Sequence, residues 1–487
     1  MLTARAAPPT PATEPEITPY QRNAFLFAGE SQAISSLSSP DLLMRRSGVE
    51  WLGWWTAVGG GATFPGVDAN RARLKGRKDL VPALVRALGE MPEQDSAQAS
   101  RLLVLIGEPA RTAIPALCNC LFRWDGANPI HSGVLRNSLV HLCGGPERLA
   151  PTLVPLLNDK QPRVRQAAAR GLRFCADPTF VYTFHPDDPY PAMSPDAGKR
   201  WRAHFLEAAV PALTRALDDP APGVSLAAAQ SLERITADFE VDLLHRQPQP
   251  FWKATVAPLS RLAASSDAAL RLAALRVLAF EPGDVSPAAP ALRAGLQRSK
   301  EEREYALYAL AHAARRNPSA VLDVFLADLG ARDLQRRRIA ADDLQLAAMA
   351  VWDGTPGEIA SAKWNNDSRL FGHTPDARRN DGPLSWEAAA AHDRLLNALV
   401  NVAMSPDREI RTSAVSALEQ ISGRAVGLRG RLRLMGVVNG RTVPIDEDVV
   451  PKVIDALTLA SDQLMSVDPE LARRLRDRKA DFSGPVL

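Results

Sequence analysis

The sequence predicts an all-α protein, an α-α superhelix of about nine helix pairs interrupted by two long inserts. Three observations predict it. First, a nine-residue phrase, clearest from Val164 to Leu172, returns at 224–232, 270–278, 302–310, 336–344 and 410–418, with worn copies at 44–52, 95–103 and 134–142. Its last residue is Leu in every copy: Leu52, Leu103, Leu142, Leu172, Leu232, Leu278, Leu310, Leu344 and Leu418. Second, the residue four places earlier is always small: Gly48, Ala99, Ser138, Ala168, Ala228, Ala274, Ala306, Ala340 and Ala414. Positions i and i+4 share one helix face, so the small residue admits a neighbouring backbone and the leucine fills the space one turn on. Third, a proline phrase beginning Val81-Pro82-Ala83-Leu84 recurs at 114–121, 150–157, 210–217, 289–296 and 450–457, with a looser copy holding Pro258. Proline suits only the first turn of a helix, so each copy marks the start of helix A, and the leucine phrase is helix B.

The elements follow in order. Residues 1–18 are Pro-rich and expected to be disordered. Thr18-Pro19 predicts a helix over 20–35, and Ser39-Pro40-Asp41 opens the next, bearing Trp51, Trp54 and Trp55. Residues 19–78 thus form a degenerate first repeat, closed by a glycine-rich and then basic loop over 59–77. The main array spans 79–350, with turn residues such as Asn158-Asp159 and Ser265-Ser266-Asp267 between helices A and B. Two stretches break the period, 177–199 and 351–385, and their Pro and Gly content predicts long loops. Residues 386–487 resume the repeats. They pass a stretch at 423–441 with five arginines and no acid, and end in a helix pair over 446–460 and 468–480.

The junction Ile106-Gly107-Glu108-Pro109-Ala110, followed by Ala113-Ile114-Pro115-Ala116-Leu117, resembles the repeat junction of HEAT-repeat proteins of the phycobilisome-lyase type, and the helix-B phrase is similar to the same family. The resemblance covers about 79–350 and again 386–425. It implies a HEAT-like solenoid, which the repeat columns themselves predict to be right-handed with helix B lining the concave face. It also implies adaptor or scaffold work for most members and lyase or enzyme work for a few.

Composition bounds the function. Lys plus Arg is 58 against 55 for Asp plus Glu, a net charge of +3, which is not the balance of a general nucleic-acid coat. Four cysteines in a chain of 487 residues make no disulfide framework. No signal peptide and no membrane span is read, so a cytoplasmic protein is expected. Gly61 and Gly66 have phosphate-loop spacing, but Val67 and Asp68 stand where Lys and Ser or Thr are required. Cys118 and Cys120 lie about 200° apart on a helix and cannot share a metal. No catalytic residue, metal site or cofactor is predicted. The acids Asp41, Asp267, Asp333 and Asp407 stand four residues before Arg45, Arg271, Arg337 and Arg411, which reads as a ladder of i, i+4 ion pairs.

The expected function is a non-enzymatic scaffold whose partner is another protein or peptide, not nucleic acid or membrane. Its anchors are expected on helix B at Arg170, Gln230, Arg276 and Tyr308, with Arg136 and Arg173 nearby. The inserts add Tyr182, His185, Tyr190, Trp352, Trp364 and His373 as specificity residues. Two alternatives stand beside it, a nucleic-acid-binding enzyme resembling the HEAT-like DNA glycosylases and a chromophore lyase subunit.

Overall fold

The computed structural model describes residues 29–57, 66–124, 128–175, 194–243, 250–280, 284–353, 386–434 and 449–482. The chain divides into two compact units, Met1–Ala209 and Val210–Leu487. The described residues form α-helices joined by short 3-10 turns, with no strand. The first unit holds α1 (Glu30–Ser36), α2 (Leu42–Trp55), α3 (Val67–Leu74), α4 (Val81–Glu90), α5 (Glu93–Ile106), α6 (Ile114–Arg123), α7 (Pro129–Cys143), α8 (Leu149–Leu156) and α9 (Pro162–Cys175). Helix α10 (Pro195–Ala216) runs through the division. The second unit continues with α11 (Pro222–Leu243), α12 (Val256–Ala263), α13 (Ala268–Phe280), α14 (Ala289–Leu296), α15 (Lys300–Arg316) and α16 (Pro318–Leu326). It ends with α17 (Leu334–Asp353), α18 (Trp386–Ala403), α19 (Arg408–Leu434), α20 (Val449–Leu464) and α21 (Pro469–Ala480).

Neighbours in sequence pack as A/B pairs, for example α4 on α5, α14 on α15 and α20 on α21. Successive B helices then stack: α5 on α7 in the first unit, and α11, α13, α15, α17 and α19 in turn in the second. The two columns explain the stacking. Every column leucine whose burial is described is buried, and so is its small partner. At Ser138 the small residue is polar, and its hydroxyl meets the buried Ser100 hydroxyl of α5 at 2.9 Å, so no polar group is stranded. Two glycines mark closer approaches than alanine allows. A methyl on Gly48 would lie 2.9 Å from the Ala33 carbonyl oxygen of α1, and one on Gly171 would lie 2.5 Å from Cys118 Sγ, because α9 packs on α6.

The acid–arginine columns are joined differently from the expected i, i+4 ion pairs. Each acid caps its own helix instead. Asp41, Asp267 and Asp333 accept from the backbone N–H groups of Leu43, Ala269 and Gln335 at 2.9, 2.8 and 2.8 Å, and Asp407 accepts from that of Ile410 at 3.1 Å. Three of the arginines swing the other way, to carbonyls of the turn between helix A and helix B. Arg45 Nη1 donates to Ser39 and Pro40, Arg271 Nη1 to Ser265 and Ser266, and Arg411 Nη1 to Ser405 and Pro406, all between 2.7 and 3.1 Å. Arg165 repeats the arrangement on Asp159 and Lys160.

The repeat-to-repeat ladder exists, with other rungs. Arg45 pairs with Glu90, Arg271 with Glu302 at 2.8 Å and Arg411 with Asp468 at 3.3 Å. Glu302 and Asp468 are themselves capping residues of the next helix B, so those two rungs end on a fixed carboxylate. Burial works against the charge of both acids, but hydrogen bonds and arginines outweigh it and hold their carboxyls below the usual range.

Three further expectations change. Residues 59–77 are not all loop, since α3 lies within them. Its Asn70 and Arg71 donate at 2.9 Å to the carbonyls of Trp55 and Thr56, so residues that read as a basic loop cap the end of α2. Pro211 does not open a helix but lies inside α10, which starts earlier at Pro195 behind Ser194. Helix α10 therefore also takes the last residues of the insert at 177–199, and α17 runs to Asp353, into the insert at 351–385. The remainder of both inserts, and residues 1–28, lie outside the described residues.

Two outcomes follow. Arg271→Ala leaves two turn carbonyls and Glu302 Oε1 without the donor Arg271 supplies, and is expected to lower local stability by about 2–3 kcal/mol. Hydrogen exchange should show the loss in α13 and α15. Gly171→Ala is expected to cost about 1–3 kcal/mol by overpacking against Cys118. Cys118→Ala should restore most of that in the double variant; strictly additive losses in thermal unfolding would exclude this contact as the cause.

Candidate partner-binding surface

In the first unit, α9 and α6 bring four side chains together. Arg170 Nη1 donates to Asn119 Oδ1 at 2.9 Å, and its guanidinium lies 4.3 Å over the Phe122 ring. Arg173, three residues along the same helix face, lies over that ring too, at 5.7 Å. All four are half-buried. Burial draws the Arg170 pKa down, and among the described residues no carboxylate pairs with its charge. Arg136, on α7, is also half-buried and stands near the thiol of Cys175. That thiol belongs to a buried trio with Cys118 and Cys143, and burial raises all three, Cys143 to about 12. Such thiols carry no thiolate at neutral pH and serve as core.

In the second unit, Arg276 of α13 holds a different set of partners. It pairs with Glu233 of α11 at 3.3 Å and with Glu301 of α15 at 2.5 Å, and its guanidinium lies 5.2 Å from the Tyr305 ring. Burial opposes its charge, but Glu233 and Glu301 more than compensate and raise its pKa. Arg276 thus links three successive B helices. Tyr308 packs on Phe280 at 5.2 Å, and Gln230 is half-buried on α11. Trp352 falls in α17, while Tyr182, His185, Tyr190, Trp364 and His373 lie outside the described residues.

The model of the HEAT repeat matches residues 149–176, which are α8, α9 and the residue after them. The chain carries a HEAT repeat. The matched HEAT repeat contains Arg165, Arg170, Gly171 and Arg173, and so supplies one side of the surface around Phe122. The lyase-type junction at 106–117 lies outside the matched stretch. No curated protein matches the sequence. Among solved structures, an engineered protein is 18% identical over 93% of this chain and 99% of its own, with a TM-score of 0.34. Importin beta is 13% identical over 94% of this chain and 66% of its own, with a TM-score of 0.35. A designed armadillo repeat protein is 18% identical over 58% of this chain and 98% of its own, with a TM-score of 0.30. The fold rests on the helix pairs themselves, not on these scores.

Among the described residues no group of three or more His, Cys, Asp or Glu is placed to hold a metal, and no helix is long and apolar enough to cross a membrane. Sequence reasoning missed Asn119, Phe122, Glu233 and Tyr305, which decide what Arg170 and Arg276 do. It also missed Asp343, a buried carboxylate in α17. Asp343 accepts from Gln297 at 2.8 Å and lies 3.4 Å from Arg293, yet burial prevails and pushes its carboxyl up to about 6.

Because that folded value lies above the ordinary 3.8, the folded state takes up the proton first. The stability Asp343 contributes is therefore greatest at low pH and is lost as pH rises through about 6. Unfolding of wild type and Asp343→Asn between pH 7.5 and 5 should show wild type gaining on the variant as pH falls. A constant difference would disprove the shift.

Proposed function

We propose that the protein is a non-enzymatic scaffold that binds another protein or a peptide, with the surface around Arg170 as its principal anchor. The observation that carries this reading is the Arg170–Phe122–Arg173 stack with Asn119 beside it. A guanidinium fixed on an aromatic ring, half-exposed and matched by no carboxylate among the described residues, loses little entropy on meeting a partner. Its charge favours an acidic one. Helix pairs supply the rigid frame such anchors need. Arg136, Gln230, Arg276 and Tyr308 extend the helix-B surface within their own units. The inserts at 177–199 and 351–385, with Tyr182, His185, Tyr190, Trp352, Trp364 and His373, are the further source of specificity in this reading.

Affinity purification from the native cell, read by mass spectrometry, tests it. Arg170→Glu is expected to lose the partner seen with wild type while keeping the melting temperature. Arg276→Glu places a third acid between Glu233 and Glu301 and is expected to lose stability first. An unchanged partner set with Arg170→Glu would remove this surface from the function.

A further inference from the structure

The start of α17 departs from the clamp seen in the other repeats. Arg337 stands four residues after the capping Asp333, the position that Arg45, Arg271 and Arg411 hold after theirs. Those three donate to two turn carbonyls and to a carboxylate of the next repeat. The Arg337 side chain makes no hydrogen bond or ion pair with any described residue. Its neighbours have taken the work: Arg336 pairs with Asp328 at 2.7 Å, and Arg338 forms the rung to Asp407 at 2.6 Å and to Glu409 at 2.8 Å.

The unengaged arginine lines an open groove of about 520 Å³ between the turn before α17 and the turn joining α18 to α19. Leu329, Leu334, Val402 and Pro406 give it an apolar wall, and Leu334 is 40% exposed. Asn401 and Ser405 supply neutral polar groups. The groove's carboxylate, Asp407, is already held by Arg338 and the Ile410 N–H. The groove therefore presents one unmatched cation beside an apolar wall. A volume in this range suits a bound ligand, and the open side lets a continuing chain leave.

We propose that this groove docks an acidic peptide segment of a partner protein. A Glu or Asp carboxylate takes the Arg337 guanidinium and an adjacent Leu or Ile side chain covers Leu334 and Pro406. This rests on the scaffold reading above, but at a different surface. The charge supplies the selectivity, because a bidentate carboxylate satisfies a guanidinium that has no other partner among the described residues. The wall supplies affinity that does not depend on salt.

The test uses the full chain and a fluorescein-labelled octapeptide alternating Glu and Leu, followed by fluorescence anisotropy. A second peptide carries Gln in place of each Glu. Wild type should bind the first peptide at least tenfold more tightly than the second. Arg337→Gln should remove that preference without lowering the melting temperature, since the Arg337 side chain has no hydrogen bond or ion pair to a described residue to lose. Arg337→Lys should keep part of it, Leu334→Ser should weaken both peptides, and Arg170→Glu should change neither. Equal binding of the two peptides by wild type, binding untouched by Arg337→Gln, or no binding at all would each overturn the proposal. If the groove fails while Arg170→Glu still loses the native partner, the scaffold reading stands alone. If Arg170→Glu changes nothing while the groove keeps its preference, only the anchor around Phe122 falls.

Discussion

Each turn between helix A and helix B must satisfy two opposite sets of backbone groups at once. The last residues of the turn present carbonyls without backbone donors, and helix B begins on N–H groups without acceptors. One acid and one arginine four residues apart do both. The acid turns to the N–H groups and the arginine to the carbonyls, as Asp267 and Arg271 show. The guanidinium has donors to spare, and these reach the capping acid of the next repeat, as Arg271 reaches Glu302. Local capping and repeat spacing are thus one network. A repeat that lacks the arginine shows its value by contrast. Ser225 donates to the Asp219 carbonyl at 3.0 Å and so closes the turn, but a hydroxyl is too short to build the rung.

The helix pairs were legible because their signals are steric and local. A small residue and a leucine one turn apart have one use on a helix, and a proline has one tolerated place in its first turn. The roles of Asp and Arg were not legible from spacing. An i, i+4 pair fits both a mutual salt bridge and two separate caps. The open backbone groups decide, because a buried carbonyl without a donor costs more than an exposed ion pair gains. Helix α3 was hidden for a related reason: its first residues follow a glycine run, and its polar side chains Asn70 and Arg71 serve as caps for α2.

The candidate site was legible as residue types and not as roles. Arg170 and Arg276 hold the same place in the phrase, two before the column leucine. One meets Asn119 and Phe122, the other Glu233, Glu301 and Tyr305. The difference lies in residues far along the chain from the phrase, and helix packing alone brings them together. A column read down the sequence cannot show it.

Net charge also misleads until the partners are known. The formal +3 suggests a surface with no preference of sign. Yet Arg45, Arg271, Arg338 and Arg411 are committed to rungs, and Arg276 to two acids at once. A partner gains little from a guanidinium already paired, since it must first displace a carboxylate held by caps. It gains most where the charge is placed but unmatched, as at Arg170 on its aromatic ring and at Arg337 in its groove. The internal ladder leaves those two positions out among the described residues, which is what makes them the proposed contacts for an acidic partner.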